Sequence, residues 1–87
     1  MALIFHITQI LSKDEMAKLV SQLTTEDALL LSQDGVYNQT MLPVNLAVYA
    51  LEQDVQSRSV KTTDSIELVE YAQLGELIAR YNASIKY

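Results

Sequence analysis

Four short apolar runs punctuate the chain: Leu3–Ile7 (LIFHI), Ala28–Leu31 (ALLL), Leu46–Leu51 (LAVYAL) and Ile66–Val69 (IELV). Each has the length of a strand. ALLL carries no polar residue at all, which marks a strand covered on both faces, as in a parallel α/β sheet. IELV is interrupted by Glu67 and followed by Glu70, and that charge places it at an edge. Between the runs the spacing turns helical. Met16, Leu19, Val20 and Leu23 follow the i, i+3, i+4, i+7 rule. Ser12 and Glu15 form a capping box ahead of them, with Leu11 and Met16 as its hydrophobic staple.

The second apolar run stops at Ser32-Gln33-Asp34-Gly35, where Asp-Gly signals a turn because glycine accepts φ > 0. A short helical piece over Val36–Met41 follows, closed by Leu42-Pro43. Glu52–Arg58 is a solvated helix anchored by Val55, with Asp54 and Arg58 spaced to pair on its surface. Val60–Ser65 is a polar loop. A last helix spans Ala72–Tyr81, with Leu74, Leu77, Ile78 and Tyr81 as its stripe and Gly75 as a weak point. Asn82 stops it, and Ala83–Tyr87 reads as a tail. The order β-α-β-α-β-α-β-α predicts one α/β domain over residues 1–87. Its expected form is a small Rossmann-like three-layer α/β/α sandwich around a mainly parallel four-stranded sheet. The turn after Ala28–Leu31 then falls on the carboxyl edge of the sheet, where open α/β proteins bind ligands and partners.

Charge and composition narrow the function. The net charge of −5 disfavours direct contact with nucleic acid and docking on anionic membranes. No run approaches the roughly 18 apolar residues of a membrane span. The N-terminus lacks the basic start and small-residue cleavage site of a signal peptide, so a cytoplasmic chain is expected. There is no cysteine, which removes disulfides and thiol chemistry, and with a single histidine no ordinary zinc site remains. A chain of this size buries only roughly 60–65% of its unfolded surface. With 49% apolar residues, some of that surface is expected to meet a partner, a second copy included.

The candidate chemistry is sparse. Two glycines cannot make a dinucleotide fingerprint or a P-loop, so no cofactor is expected. His6 lies near the carboxyl end of the first strand. A general base needs a nucleophile or an orienting carboxylate beside it, and the sequence supplies neither, so His6 reads as a core or interface histidine. Asp34 reads as the residue that shapes its turn and caps the helix after it. Asp14-Glu15 and Glu26-Asp27 fall in a helix first turn and a turn, where acids are common. Among five tyrosines, Tyr49 and Tyr81 sit on apolar positions. Tyr37 and Tyr87 are better placed for protein contacts.

Three segments in order carry a family likeness: LLLSQDGVY at Leu29–Tyr37, VYALEQDVQSRS at Val48–Ser59 and IELVEY at Ile66–Tyr71. Together they resemble the TusB/DsrH family of sulfur-relay proteins. The family pattern is an apolar strand ending in a (Q/E)DGV turn, then VYAL-x-x-D-x-x-x-R-G, then a strand ending in tyrosine. Ser59 departs from it, standing where the family often has glycine. The resemblance implies a DsrE-type fold. It implies assembly with TusC-like and TusD-like paralogues into a heterohexamer that relays persulfide sulfur towards the 2-thio group of the tRNA wobble uridine. The persulfide cysteine belongs to the TusD-like subunit. DsrH-like relatives serve sulfur oxidation, some with a cysteine on the first helix, which Lys13–Leu23 lacks.

Sulfur transfer needs a thiolate, and this chain has none. The expectation is therefore a non-catalytic subunit, without cofactor or metal, that contacts its partners through Asp34, Gly35, Val36, Tyr37, Asp54 and Arg58. The rival readings are a stand-alone homo-oligomeric binding module, a DsrH-like subunit of a sulfur-oxidation assembly, and an enzyme built on His6 and Asp34.

Overall fold

The computed structural model describes residues 2–41 and 46–87. The expected stop at Leu42-Pro43 lies outside them. Four strands fall where the apolar runs place them: β1 (Leu3–Ile7), β2 (Ala28–Leu31), β3 (Ala47–Leu51) and β4 (Ile66–Val69). All neighbours in the sheet are parallel, as short strands alternating with helical crossovers require. Central β2 is buried at every residue, which explains its lack of any polar position. β4 is an edge strand, and Glu67 is exposed on it.

The expected tail is a fifth strand, which corrects the four-stranded sheet. β5 (Ala83–Lys86) lies parallel to β1, in register from Leu3 opposite Ala83 to His6 opposite Lys86. The sheet order is β4-β3-β2-β1-β5. All four residues of β5 are exposed, so hydropathy could not reveal it. Backbone pairing and its two ends hold it. Asn82 N–H donates to Ala2 O (2.8 Å), and Asn82 Oδ1 accepts from Ala2 N–H (2.9 Å). At the other end Tyr87 N–H donates to His6 O (2.8 Å), and the Tyr87 ring meets Phe5 at 6.0 Å between centroids.

The helices divide between the two faces. α1 (Lys13–Ser21) begins with the expected capping box: Ser12 Oγ accepts from Glu15 N–H (3.1 Å), and Glu15 Oε1 accepts from Ser12 N–H (2.9 Å). Leu11 and Met16 are both buried behind it. α1 and α2 (Glu52–Ser57) cover one face, sending Met16, Leu19 and Val55 against Phe5, Ile7, Leu29 and Leu31. α3 (Leu74–Ala79) covers the other, with Leu77 against Ile4, Ala28 and Leu30. It is shorter than the expected Ala72–Tyr81, because a 3-10 turn over Tyr71–Gln73 leads into it. Above this face the Tyr81 hydroxyl is pushed up to about 12 by burial and by its hydrogen bond with Tyr49.

Two buried acids or amides lock the connections. Asp27, almost fully buried, accepts from Leu3 N–H (2.8 Å) and Thr24 N–H (2.9 Å). Burial alone would raise its carboxyl; the amide donors of Thr24 and Leu3 outweigh it and hold the group below its ordinary value. The segment Gln33–Met41 is one long 3-10 helix rather than a helix starting at Val36. Asn38 fastens it: Oδ1 accepts from Leu11 N–H (3.0 Å), while Nδ2 donates to Gln9 O (2.9 Å) and Gly35 O (3.0 Å).

α2 ends in a Schellman motif. Val60 N–H donates to Val55 O (3.0 Å), and Ser59 N–H to Gln56 O (3.2 Å). Val60, expected in a polar loop, packs against Val55's core layer. The motif forces Ser59 to φ 51°, the left-handed region that favours glycine. Gly35 has the opposite need. Its φ is not positive, contrary to the turn reading; the left-handed residue of that turn is Gln33, at φ 51°. Glycine is required at 35 because a Cβ there would sit 1.9 Å from the Ile7 carbonyl oxygen.

Two substitutions separate these roles. Ser59→Gly relieves backbone strain and should stabilise the chain by about 1 kcal/mol. Gly35→Ala drives a methyl into backbone and should cost about 3 kcal/mol or more. Urea unfolding of both variants measures the two changes. Equal stability at Gly35→Ala would mean that the turn does not press on β1.

Candidate functional site at the carboxyl edge of the sheet

The carboxyl ends of β1, β2 and β3 converge on one ion-paired corner. β2 ends at Leu31, and Ser32 N–H donates to Ile7 O (3.1 Å), which carries the pairing with β1 one residue further. Gln33 then turns left-handed, which frees its N–H from the sheet. Asp54, in the first turn of α2, accepts that N–H at Oδ2 (2.6 Å). A carboxylate is suited to this role because a charged acceptor strengthens the bond to an exposed amide. Arg58, one helical turn on, lies with Nη1 3.5 Å from Asp54 Oδ1 and donates from Nε to Asp34 Oδ1 (3.1 Å). The guanidinium thus bridges the turn after β2 to the helix after β3.

Sequence spacing gives the Asp54–Arg58 pair but not the link to Asp34. Asp34 does not cap the helix that follows it; its carboxylate serves Arg58. The exposures sort the expected contact residues. Asp34 has a side chain 61% exposed, and Tyr37 is 46% exposed. Arg58 and Asp54 retain partial exposure. Gly35 and Val36 are buried, and Val36 belongs to the core layer beneath the corner. Their positions are used within the chain. Tyr37 is exposed but takes no part in the ion-paired cluster.

His6 stands on the opposite face of β1, beside the same corner. Its Nε2 shares a hydrogen bond of 2.5 Å with Ser32 Oγ. Ser32 is buried, and sequence reading missed both it and Asn38 as polar interior groups. Burial lowers the His6 imidazole below its ordinary 6.5, and the Lys86 ammonium on neighbouring β5 lowers it further. Asp54 pulls the other way without prevailing. This hydrogen bond ties the end of β1 to the buried residue that follows β2. Among the described residues no three metal-ligating side chains converge. The corner offers a fixed array of charges on a rigid sheet edge, suited to orienting another molecule.

The comparisons agree with this architecture. The family described as DsrH like protein matches residues 11–84. The crystal structure of the ychN protein from E. coli superposes with a TM-score of 0.68, covering 99% of this chain and 97% of that one. The two sequences are 14% identical, so this likeness concerns the fold, a parallel α/β sheet flanked by helices. No curated protein sequence matches the chain.

Removal of each carboxylate should separate fastening from exposure. Asp54→Ala frees the Gln33 amide and one side of Arg58, and should cost about 1–2 kcal/mol. Asp34→Ala breaks only an exposed pair and should stay within about 0.5 kcal/mol. Denaturant midpoints of the two variants give the comparison. The imidazole of His6 should titrate below 6.5 by NMR, and Lys86→Gln should move its midpoint upwards. Because the folded state binds the proton less readily than the unfolded one, its contribution to stability is present above 6.5 and lost as pH falls. His6→Gln should flatten that slope.

Proposed function

Because the chain belongs to the DsrH-like family, we propose that it is a non-catalytic subunit of a TusBCD-like sulfur-relay assembly. In this reading the assembly supports 2-thiouridine formation at the tRNA wobble position, in the cytoplasm. Family membership supports the sulfur-relay role, and one further observation carries the reading: the 87 residues contain no cysteine. Persulfide sulfur travels on thiolates. The sulfur carrier must then be another chain, and this one contributes surface and rigidity. The carboxyl-edge corner supports that division. Asp54 and Arg58 hold the turn after β2 in one conformation, and Asp34 and Tyr37 stand outward from it.

TusC-like and TusD-like chains are the proposed partners, with self-association when the chain is isolated. The net charge of −5 fits contact with protein rather than with tRNA. No helix among the described residues is long and apolar enough to cross a membrane.

Co-expression with TusC-like and TusD-like proteins, followed by native mass spectrometry, tests the proposal. The expected product contains equal copies of the three chains, and Tyr37→Ala should weaken it at least about tenfold. A chain that stays monomeric or homo-oligomeric beside both candidates would overturn the subunit reading.

A further inference from the structure

The helices that follow β3 and β4 leave the sheet on opposite sides. α2 continues directly from β3 and sends Val55 into the layer with Ile7 and Leu31. The 3-10 turn Tyr71–Gln73 and α3 follow β4 and send Leu77 to the other layer, with Ile4 and Leu30. β3 and β4 are adjacent and parallel, so their exits diverge. This is a topological switch point, where an open parallel sheet leaves a crevice beyond its carboxyl ends.

A cleft of about 430 Å³ lies there, lined by Glu52, Gln53 and Gln56 from α2 and by Glu70, Tyr71 and Ala72 after β4. It is separate from the Asp34–Arg58 corner. Its chemistry is one-sided. Two carboxylates face it, and among the described residues neither is in an ion pair with a lysine or arginine. Glu52 accepts only from the Gln56 amide (3.1 Å), and Glu70 is joined to Gln73 mainly through backbone, its carbonyl accepting from Gln73 N–H (2.9 Å) and its N–H donating to Gln73 Oε1 (2.8 Å), so both carboxylates keep free lone pairs. Tyr71 beside them is 65% exposed. A phosphate or carboxylate ligand would meet like charge on both sides. Unneutralised carboxylates beside an aromatic face are instead the recognition set for a cation, and a planar guanidinium uses both, by forked hydrogen bonding and by stacking.

We propose that this cleft binds a guanidinium group, supplied as an arginine side chain of a partner polypeptide. Glu52 and Glu70 accept its N–H donors, Tyr71 stacks on its plane, and the Gln53 and Gln56 amides order the backbone that carries it. The inference stands on the cleft alone and does not require the sulfur-relay reading.

Titration of the intact chain with a capped Gly-Arg-Gly peptide, followed by amide NMR, tests it. Shifts should centre on Gln53, Gln56, Tyr71 and Ala72. The double variant Glu52→Gln/Glu70→Gln should weaken binding at least about tenfold, and Tyr71→Ala, at an exposed site, should weaken it several-fold without unfolding the chain. The citrulline peptide, which keeps the shape and loses the charge, should not bind. Equal binding of the citrulline peptide, shifts elsewhere, or binding indifferent to Tyr71→Ala would overturn the proposal. Spermidine shifting these amides while the arginine peptide does not would also overturn it, in favour of a small-amine site.

Discussion

The carboxyl edge of this sheet depends on one close approach. The turn after β2 passes so near the end of β1 that only hydrogen fits where position 35 faces the Ile7 carbonyl. That carbonyl also receives the Ser32 amide, so the two strand ends are joined through a single peptide group. Every later contact inherits this fit. Val36 drops into the core, Asn38 reaches the backbone of the turn and of the loop after β1, and Gln33 is left in the left-handed region. Asp54 then finds the Gln33 amide exposed and takes it. A side chain at position 35 would displace the whole sequence of contacts, since close-packed backbone has no slack to absorb it.

This rigidity gives the surface its character. Arg58 is held between two carboxylates, one fastened to backbone and one outward. Exposed pairs of this sort add little stability. Charges fixed in such a pattern bear on the choice of a partner more than on affinity wherever a partner meets them. The divergent exits of α2 and α3 add a second polar feature on the same edge. This DsrH-like chain, which has no cysteine, thus presents two distinct polar features on one edge of its sheet, the ion-paired corner and the cleft beside α2.

Much of the fold is legible in the sequence, and the reasons are particular. ALLL at β2 and the Ser12–Glu15 capping box carry their structure locally, through burial and capping. β5 is illegible because its residues are all exposed and its strand state comes from pairing with β1, a contact between the two ends of the chain. The Asp34-Gly35 turn is legible as a turn but not in its mechanism, since glycine serves close approach there and Gln33 carries the positive φ. Of the candidate contact residues, spacing within α2 yields the pair Asp54 and Arg58. The long-range link to Asp34 and the burial of Val36 depend on how β2 and β3 lie side by side. The polar interior roles of Ser32 and Asn38 left no periodic signal at all.

In the proposed role, sulfur passes through an assembly this chain completes without passing through the chain. Persulfide transfer in the reconstituted assembly, with and without this subunit, tests it most directly when the subunit is recovered and its intact mass measured. Transfer should fall when the subunit is omitted, and the mass of the subunit should be unchanged at every time point. Transfer indifferent to the subunit, or a sulfur adduct on its mass, would contradict it.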